Sequence, residues 1–181
     1  GLGKDQLINA EFQKISAKIG KKAKEEEIKN LALSCPKTGR HPAEVVAEAL
    51  VEGLLLGEYE FRKYKTHETN LSNLTNLEEV IIFVKNANEA LKGREEIVRA
   101  EIYSRATSLA RDLVNEPSSL ATPQYLADLA VKMGESHGFT CKVYDEKEMK
   151  KMGMGCLLVV SKGSDEEAKF IKMEYSLDSR F

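Results

Sequence analysis

The sequence predicts an α/β fold, and three observations carry that reading. Short runs rich in β-branched residues read as strands, the clearest being Val80-Ile81-Ile82-Phe83-Val84. Between such runs lie stretches with helical spacing, the longest placing Val98, Ile102, Ala106, Leu109 and Leu113 at intervals of four, four, three and four. Proline and glycine punctuate the junctions, at Pro36, Pro42, Pro117, Pro123 and Gly138.

In chain order, Leu7, Ile8, Phe12, Ile15 and Ile19 mark a first amphipathic helix that is expected to end near Gly20. The charged run from Lys21 to Glu27 then reads as a solvated face or loop. Leu31-Ala32-Leu33-Ser34-Cys35 is short, apolar and stopped by Pro36, as a buried strand is. Pro42 opens a second helix, where its missing N–H costs nothing. Val46, Leu50, Gly53, Leu54 and Gly57 share one face of that helix, and the two glycines predict close packing against another backbone. Residues 66–77 are polar and rich in Asn and Thr, hence a loop.

The strand over 78–84 leads into a long helix that starts near Asn86 or Lys92. Pro117 disfavours helical geometry at Glu116, so this helix closes near Val114 or Asn115. Its stripe of Val98, Ile102, Leu109 and Leu113 is expected to be covered. After a turn at Ser118-Ser119, Thr122 is the expected N-cap of the next helix and Pro123 its first residue. Leu126, Leu129, Ala130, Met133 and His137 define that helix, which Gly138 ends. A strand over 140–144, a short helix over 146–152, and two strands over 156–161 and 170–175 around a Gly163-Ser164-Asp165 turn complete the reading.

Composition narrows the function. The chain has 181 residues, 42% hydrophobic and 31% charged, which suits a packed core with a soluble surface. A formal net charge of −2 gives no basic footprint for nucleic acid. No apolar run approaches the roughly 18 residues that span a bilayer, and Gly1-Leu2-Gly3-Lys4 opens no secretory signal. The three cysteines, Cys35, Cys141 and Cys156, lack metal-type spacing. Cys35 and Cys156 adjoin predicted strands, so buried free thiols in a reducing cytosol are expected. His41, His67 and His137 form no His-Glu-x-x-His pattern and are not expected to bind metal. Glu25-Glu26-Glu27 and Asp165-Glu166-Glu167 read as solvated, and Gly153-Met154-Gly155 lacks the third glycine of a dinucleotide loop. Both termini read as cut, since a strand end opens the chain and Glu174 to Phe181 leaves a strand with nowhere to go.

The run Arg111-Asp112-Leu113-Val114-Asn115-Glu116-Pro117, followed by Ala121-Thr122-Pro123-Gln124-Tyr125-Leu126-Ala127, resembles a signature of the leucyl aminopeptidase family. Three further stretches resemble the same family in the same order. They are Gly1-Leu2-Gly3-Lys4, the run Glu52-Gly53-Leu54-Leu55-Leu56-Gly57 to Lys65, and Met152-Gly153-Met154-Gly155-Cys156-Leu157-Leu158 with Lys162-Gly163-Ser164.

The resemblance implies a macrodomain-like N-terminal α/β domain over 1–93, lacking its first strands. It implies a linking helix over 94–115 and the start of a catalytic peptidase domain over 116–181. For the intact parent it implies a cytoplasmic homohexamer that acts on peptide substrates with two divalent ions, zinc, manganese or magnesium. The family's metal ligands are one lysine, three aspartates and one glutamate, in a Gly-Lys-Gly segment followed by Phe-Asp and in an Asn-Thr-Asp-Ala-Glu-Gly-Arg segment. Neither segment occurs in these 181 residues, so no catalytic, cofactor or metal residue is assigned and the chain alone is expected to be inactive. Ser161-Lys162-Gly163-Ser164 superficially resembles the first segment, but Asp165-Glu166-Glu167 follows it, and Lys162 is expected to be an exposed turn residue. A non-catalytic binding or assembly module is the alternative.

Overall fold

A computed structural model describes residues 9–36, 41–65 and 77–176. The expected strand end at Gly1–Lys4, the first helix's Leu7 and Ile8, the loop at 66–76 with His67, and the tail from Leu177 lie outside the described residues. The chain divides into two compact units, Gly1–Asn115 and Glu116–Phe181, and its elements are a mixture of helix and strand.

The first unit runs α1 (Asn9–Glu25), β1 (Asn30–Ser34), α2 (Ala43–Glu58), β2 (Glu79–Phe83) and α3 (Ala87–Asn115). β1 and β2 pair in parallel, with Asn30 opposite Glu79 and Ser34 opposite Phe83. Parallel strands need a crossover, and α2 supplies it. The core is built by Phe12 of α1 with Val46, Ala49 and Leu50 of α2, and Cys35 packs against it.

α1 continues past its expected end at Gly20 to Glu25, through residues the sequence reads as a solvated face or loop. Gly20 is there for contact: a Cβ on it would lie 2.6 Å from the Leu54 carbonyl oxygen of α2. Beyond it, Ala23 is buried, and Lys22 pairs with Glu25 and Glu26 one turn on. The expected close approach of Gly53 and Gly57 is observed, since a Cβ on either would collide with the α1 backbone at Gln13 or Ala17.

In α3 the expected stripe is covered only in part. Val98 and Ile102 are 55% and 57% exposed, whereas Gly93, Ala100 and Ser104 are buried. At 100° per residue these two sets lie on nearly opposite sides of the helix. Ala100 and Ser104 face the α2 contact, and Val98 and Ile102 point away from it. Leu109 and Leu113, further along the stripe, are half-buried.

The second unit runs α4 (Pro123–His137), β3 (Thr140–Tyr144), α5 (Glu146–Lys151), α6 (Gly155–Ser161) and β4 (Phe170–Glu174). Thr122 caps α4 by accepting the Tyr125 N–H at 3.2 Å, Pro123 occupies the first turn, and Gly138 closes the helix at φ +74°. Asp145 and Glu148 form a reciprocal capping box at the start of α5. β3 and β4 pair antiparallel, Thr140 opposite Glu174 and Tyr144 opposite Phe170.

Residues 156–161 are helix, which corrects the expected strand. Leu158 N–H donates to the Met154 carbonyl at 3.2 Å, and β3 pairs with β4 directly. A short apolar run has no periodicity that separates strand from helix, so β-branched content misleads here. The helix leaves Leu157, Val159 and Val160 exposed. Cys156 on α6 is also exposed, against the expected burial, while Cys35 and Cys141 are half-buried; all three are free thiols.

Candidate functional site

The signature run at 111–117 ends α3 and makes a clasp on α2. The last carbonyls of a helix have no partner within it. The Leu56 carbonyl, in the final turn of α2, accepts from Arg111 Nη1 at 3.2 Å. The same guanidinium stands 5.2 Å from the centre of the Tyr59 ring, and a cation is favoured at this end of a helix dipole. Tyr59 Oη donates to Asp112 Oδ1 at 2.8 Å and accepts from Asn115 Nδ2 at 3.2 Å. Burial first, and then the Asp112 hydrogen bond, push the Tyr59 phenol upward. Arg111, Asp112 and Asn115 therefore position α3 against α2, and Tyr59 joins them from 53 positions away in sequence from Asp112.

Charged groups hold the chain just after α2. Lys24 Nζ donates to the Glu58 carbonyl at 2.9 Å and to Glu60 Oε2 at 3.0 Å. Glu60 also pairs with Arg62 and, at 2.9 Å, with Lys65. Hydrogen bonds from Arg62, Lys65 and Lys24 hold its carboxyl well below the usual carboxylate range. Arg62, Lys63, Tyr64 and Lys65 belong to the stretch singled out by family resemblance.

Beside this region lies a cavity of about 300 Å³ between α2, α3 and β2, with Leu54, Glu58, Val80 and Ile97 in its wall. Glu58 Oε1 accepts the Leu77 N–H at 3.0 Å. Burial raises the Glu58 carboxyl, and the Leu77 hydrogen bond and Lys24 pull against that rise. A groove of about 460 Å³ runs on along α3 from Leu55 and Glu101 to Asp112.

His41, His137, Cys35 and Lys162, weighed in the sequence, stand at different elements. His41 stands just before α2, and His137 lies exposed in the last turn of α4 with Nδ1 2.8 Å from Ser136 Oγ. Burial, then Glu89, raises the Cys35 thiol. Lys162 is exposed at the end of α6. Glu167 pairs with Lys169 at 2.6 Å in the loop before β4. No group of three His, Cys, Asp or Glu side chains able to hold a metal ion occurs among the described residues. No described helix is long and apolar enough to cross a membrane.

Solved structures define the class. The fold matches the bottromycin maturation enzyme BotP in complex with Mn at TM-score 0.81 and 27% identity, over 97% of this chain and 35% of that one. It matches a mutant tomato leucine aminopeptidase in fold at TM-score 0.83 and 22% identity, over 96% of this chain and 34% of that one.

Sequence narrows the class to a family. The cytosol aminopeptidase family's N-terminal domain model matches residues 1–68, and its catalytic domain model matches residues 108–180. The probable cytosol aminopeptidase of Aquifex aeolicus (strain VF5) is 34% identical over 177 residues, 97% of this chain and 34% of that protein. That of Sulfurihydrogenibium sp. (strain YO3AOP1) is 33% identical over 176 residues, again 97% of this chain and 34% of the relative. The chain belongs to the cytosol aminopeptidase family, and it spans about a third of the length of these relatives.

Proposed function

We propose that these residues belong to a metal-dependent aminopeptidase that releases N-terminal residues from peptides. The observation that carries this is the order of the two family matches, N-terminal domain before catalytic domain, on one chain. In this reading residues 1–93 are a macrodomain-like N-terminal domain, residues 94–115 are the linking helix, and residues 116–181 open the peptidase domain. Two divalent ions, held outside these residues in the intact enzyme, would supply an activated water and a polarised scissile carbonyl. Manganese is favoured over zinc or magnesium because the BotP structure is a complex with Mn. A cytoplasmic homohexamer is the proposed state, supported by the family resemblance and by the relatives' naming as cytosol enzymes.

In this reading the metal ligands lie outside these 181 residues and the part of these residues is positional: the clasp at Arg111–Asn115 holds α3. A leucyl amide assay tests the proposal on two proteins. The 181-residue chain is expected to show no manganese-dependent turnover. A chain extended to the length of its relatives is expected to show it. Turnover by the shorter chain at a rate like that of an intact relative, or none by the longer, overturns the reading.

A further inference from the structure

The cavity between α2, β2 and α3 holds a carboxylate whose charge is met by no cation. Its volume is about 300 Å³, and Leu54, Leu77, Val80, Ile82 and Ile97 make its wall around Glu58 largely aliphatic. Glu58 Oε1 accepts the Leu77 N–H at 3.0 Å. Oε2 has no hydrogen-bond partner among the described residues, and it remains within reach of solvent, since neither Glu58 oxygen is a sealed, partnerless atom. An atom entering the cavity can therefore meet it.

The neighbouring charges are committed elsewhere. Lys24 Nζ, from α1, donates to the Glu58 main-chain carbonyl and to Glu60, not to the Glu58 carboxylate. The other charged groups of the wall are Glu78, paired with Lys29 at 2.8 Å, and Glu101, paired with Arg105 at 3.2 Å. Among the described residues, no lysine, arginine or histidine lines the cavity. Burial raises the Glu58 carboxyl, because an ion among aliphatic groups loses hydration that one N–H does not replace. Ligand cavities pair such apolar walls with a few polar anchors. A molecule that matches brings one positive charge on a short apolar body. It carries no carboxylate, which the acidic wall would repel.

We propose that this cavity binds an aliphatic primary amine. The ammonium donates to Glu58 Oε2, and the alkyl chain lies on Leu54, Val80, Ile82 and Ile97. The site lies within the first unit, is distinct from the peptidase chemistry proposed above, and does not depend on it.

Titration of the 181-residue chain with pentylamine, followed by methyl NMR, tests the proposal. Pentan-1-ol has the same shape without the charge, and L-norleucine is pentylamine with a carboxylate on the amine carbon. Saturable shifts of the Val80, Ile82 and Ile97 methyls are expected with pentylamine, at an affinity about tenfold or more above that for either probe. Glu58→Gln keeps an acceptor for the Leu77 N–H, so it folds, and it should weaken pentylamine about tenfold or more. Glu101→Gln, whose partner is Arg105, should change the affinity less than about threefold. Pentylamine stays charged below about pH 10. Its affinity should therefore fall as pH drops through the raised Glu58 value, and this fall should be missing in Glu58→Gln. Absence of saturable shifts at these methyls, equal binding of pentan-1-ol or L-norleucine, or undiminished binding in Glu58→Gln overturns the proposal. Because the peptidase test reads turnover in a longer chain, failure of either leaves the other standing.

Discussion

Replacing Gly53 with alanine tests the α1–α2 contact on which the first unit rests. The new Cβ would lie 2.8 Å from Gln13 Cα and closer still to the Gln13 carbonyl and Ser16 hydroxyl oxygens. Carbon atoms sit best about 3.5–4.0 Å apart, so the helices must part by roughly 0.7 Å or more. Most of the obstruction is backbone, which no rotamer change relieves. Overpacking of this kind costs about 1–3 kcal/mol, and here the upper end applies. Displacing Ser16 Oγ from its carbonyl partners Phe12 and Gln13, at 2.9 and 3.1 Å, adds about 1 kcal/mol. Alanine's better helix propensity returns about 1 kcal/mol. The net expectation is a loss of about 2–3 kcal/mol.

The control is Gly93→Ala. Gly93 lies in the second turn of α3, and a Cβ there meets nothing within 4 Å, so only the propensity gain of about 0.5–1 kcal/mol remains. At about 2–4 °C per kcal/mol for a chain of this size, thermal unfolding followed by far-UV circular dichroism should show Gly53→Ala melting about 4–12 °C lower and Gly93→Ala about 1–4 °C higher. If Gly53→Ala melts at or above the parent temperature, or if both variants shift the same way, the close backbone contact is not what holds this helix pair.

Three further outcomes follow from the same structure. The folded Glu58 carboxyl is raised above its ordinary value of about 4.5 by burial, so the parent loses stability as pH rises from that value through the folded one. Glu58→Gln keeps an acceptor for the Leu77 N–H and is expected to melt higher than the parent at neutral pH, with no difference below about pH 4; denaturant titrations at the two pH values check this, and a gain present only in acid would contradict it. Tyr59→Phe leaves Asp112 and Asn115 without their shared hydroxyl and should cost about 1–2 kcal/mol, with a coupling to Asp112→Ala of at least 0.5 kcal/mol in a double-mutant cycle; additive costs would mean that no clasp exists. Ile102→Lys, on the exposed stripe of α3, should change stability by no more than about 0.5 kcal/mol in this chain, whereas Ala100→Leu, at a fully buried position, should cost about 1–3 kcal/mol by overpacking; equilibrium unfolding of the pair would refute the face assignment if the order were reversed.

The sequence by itself determined the features that depend on neighbours along the chain. Thr122, Pro123 and Gly138 bound α4 as read, and the ends of β1, β2 and α3 fall within a few residues of expectation, because caps and proline act on the backbone locally. The α/β class and the kinship carried by Arg111–Pro117 were legible in the same way. The clasp itself was only half legible. Arg111, Asp112 and Asn115 stand out as a motif, but the Tyr59 and Leu56 partners are more than fifty residues earlier, and no local pattern joins them. Tertiary structure decided the rest. α3 carries a stripe of large apolar residues and an opposite face with the buried Ala100 and Ser104, and contact with α2 selected the face with the small side chains. Residues 156–161 became a helix because an apolar run that short fits either state, and β4 took the place beside β3. Gly20, which in one dimension reads as a helix end, proved to be a point of helix crossing: absence of a side chain serves both purposes, and only the presence of Leu54 across the gap tells them apart.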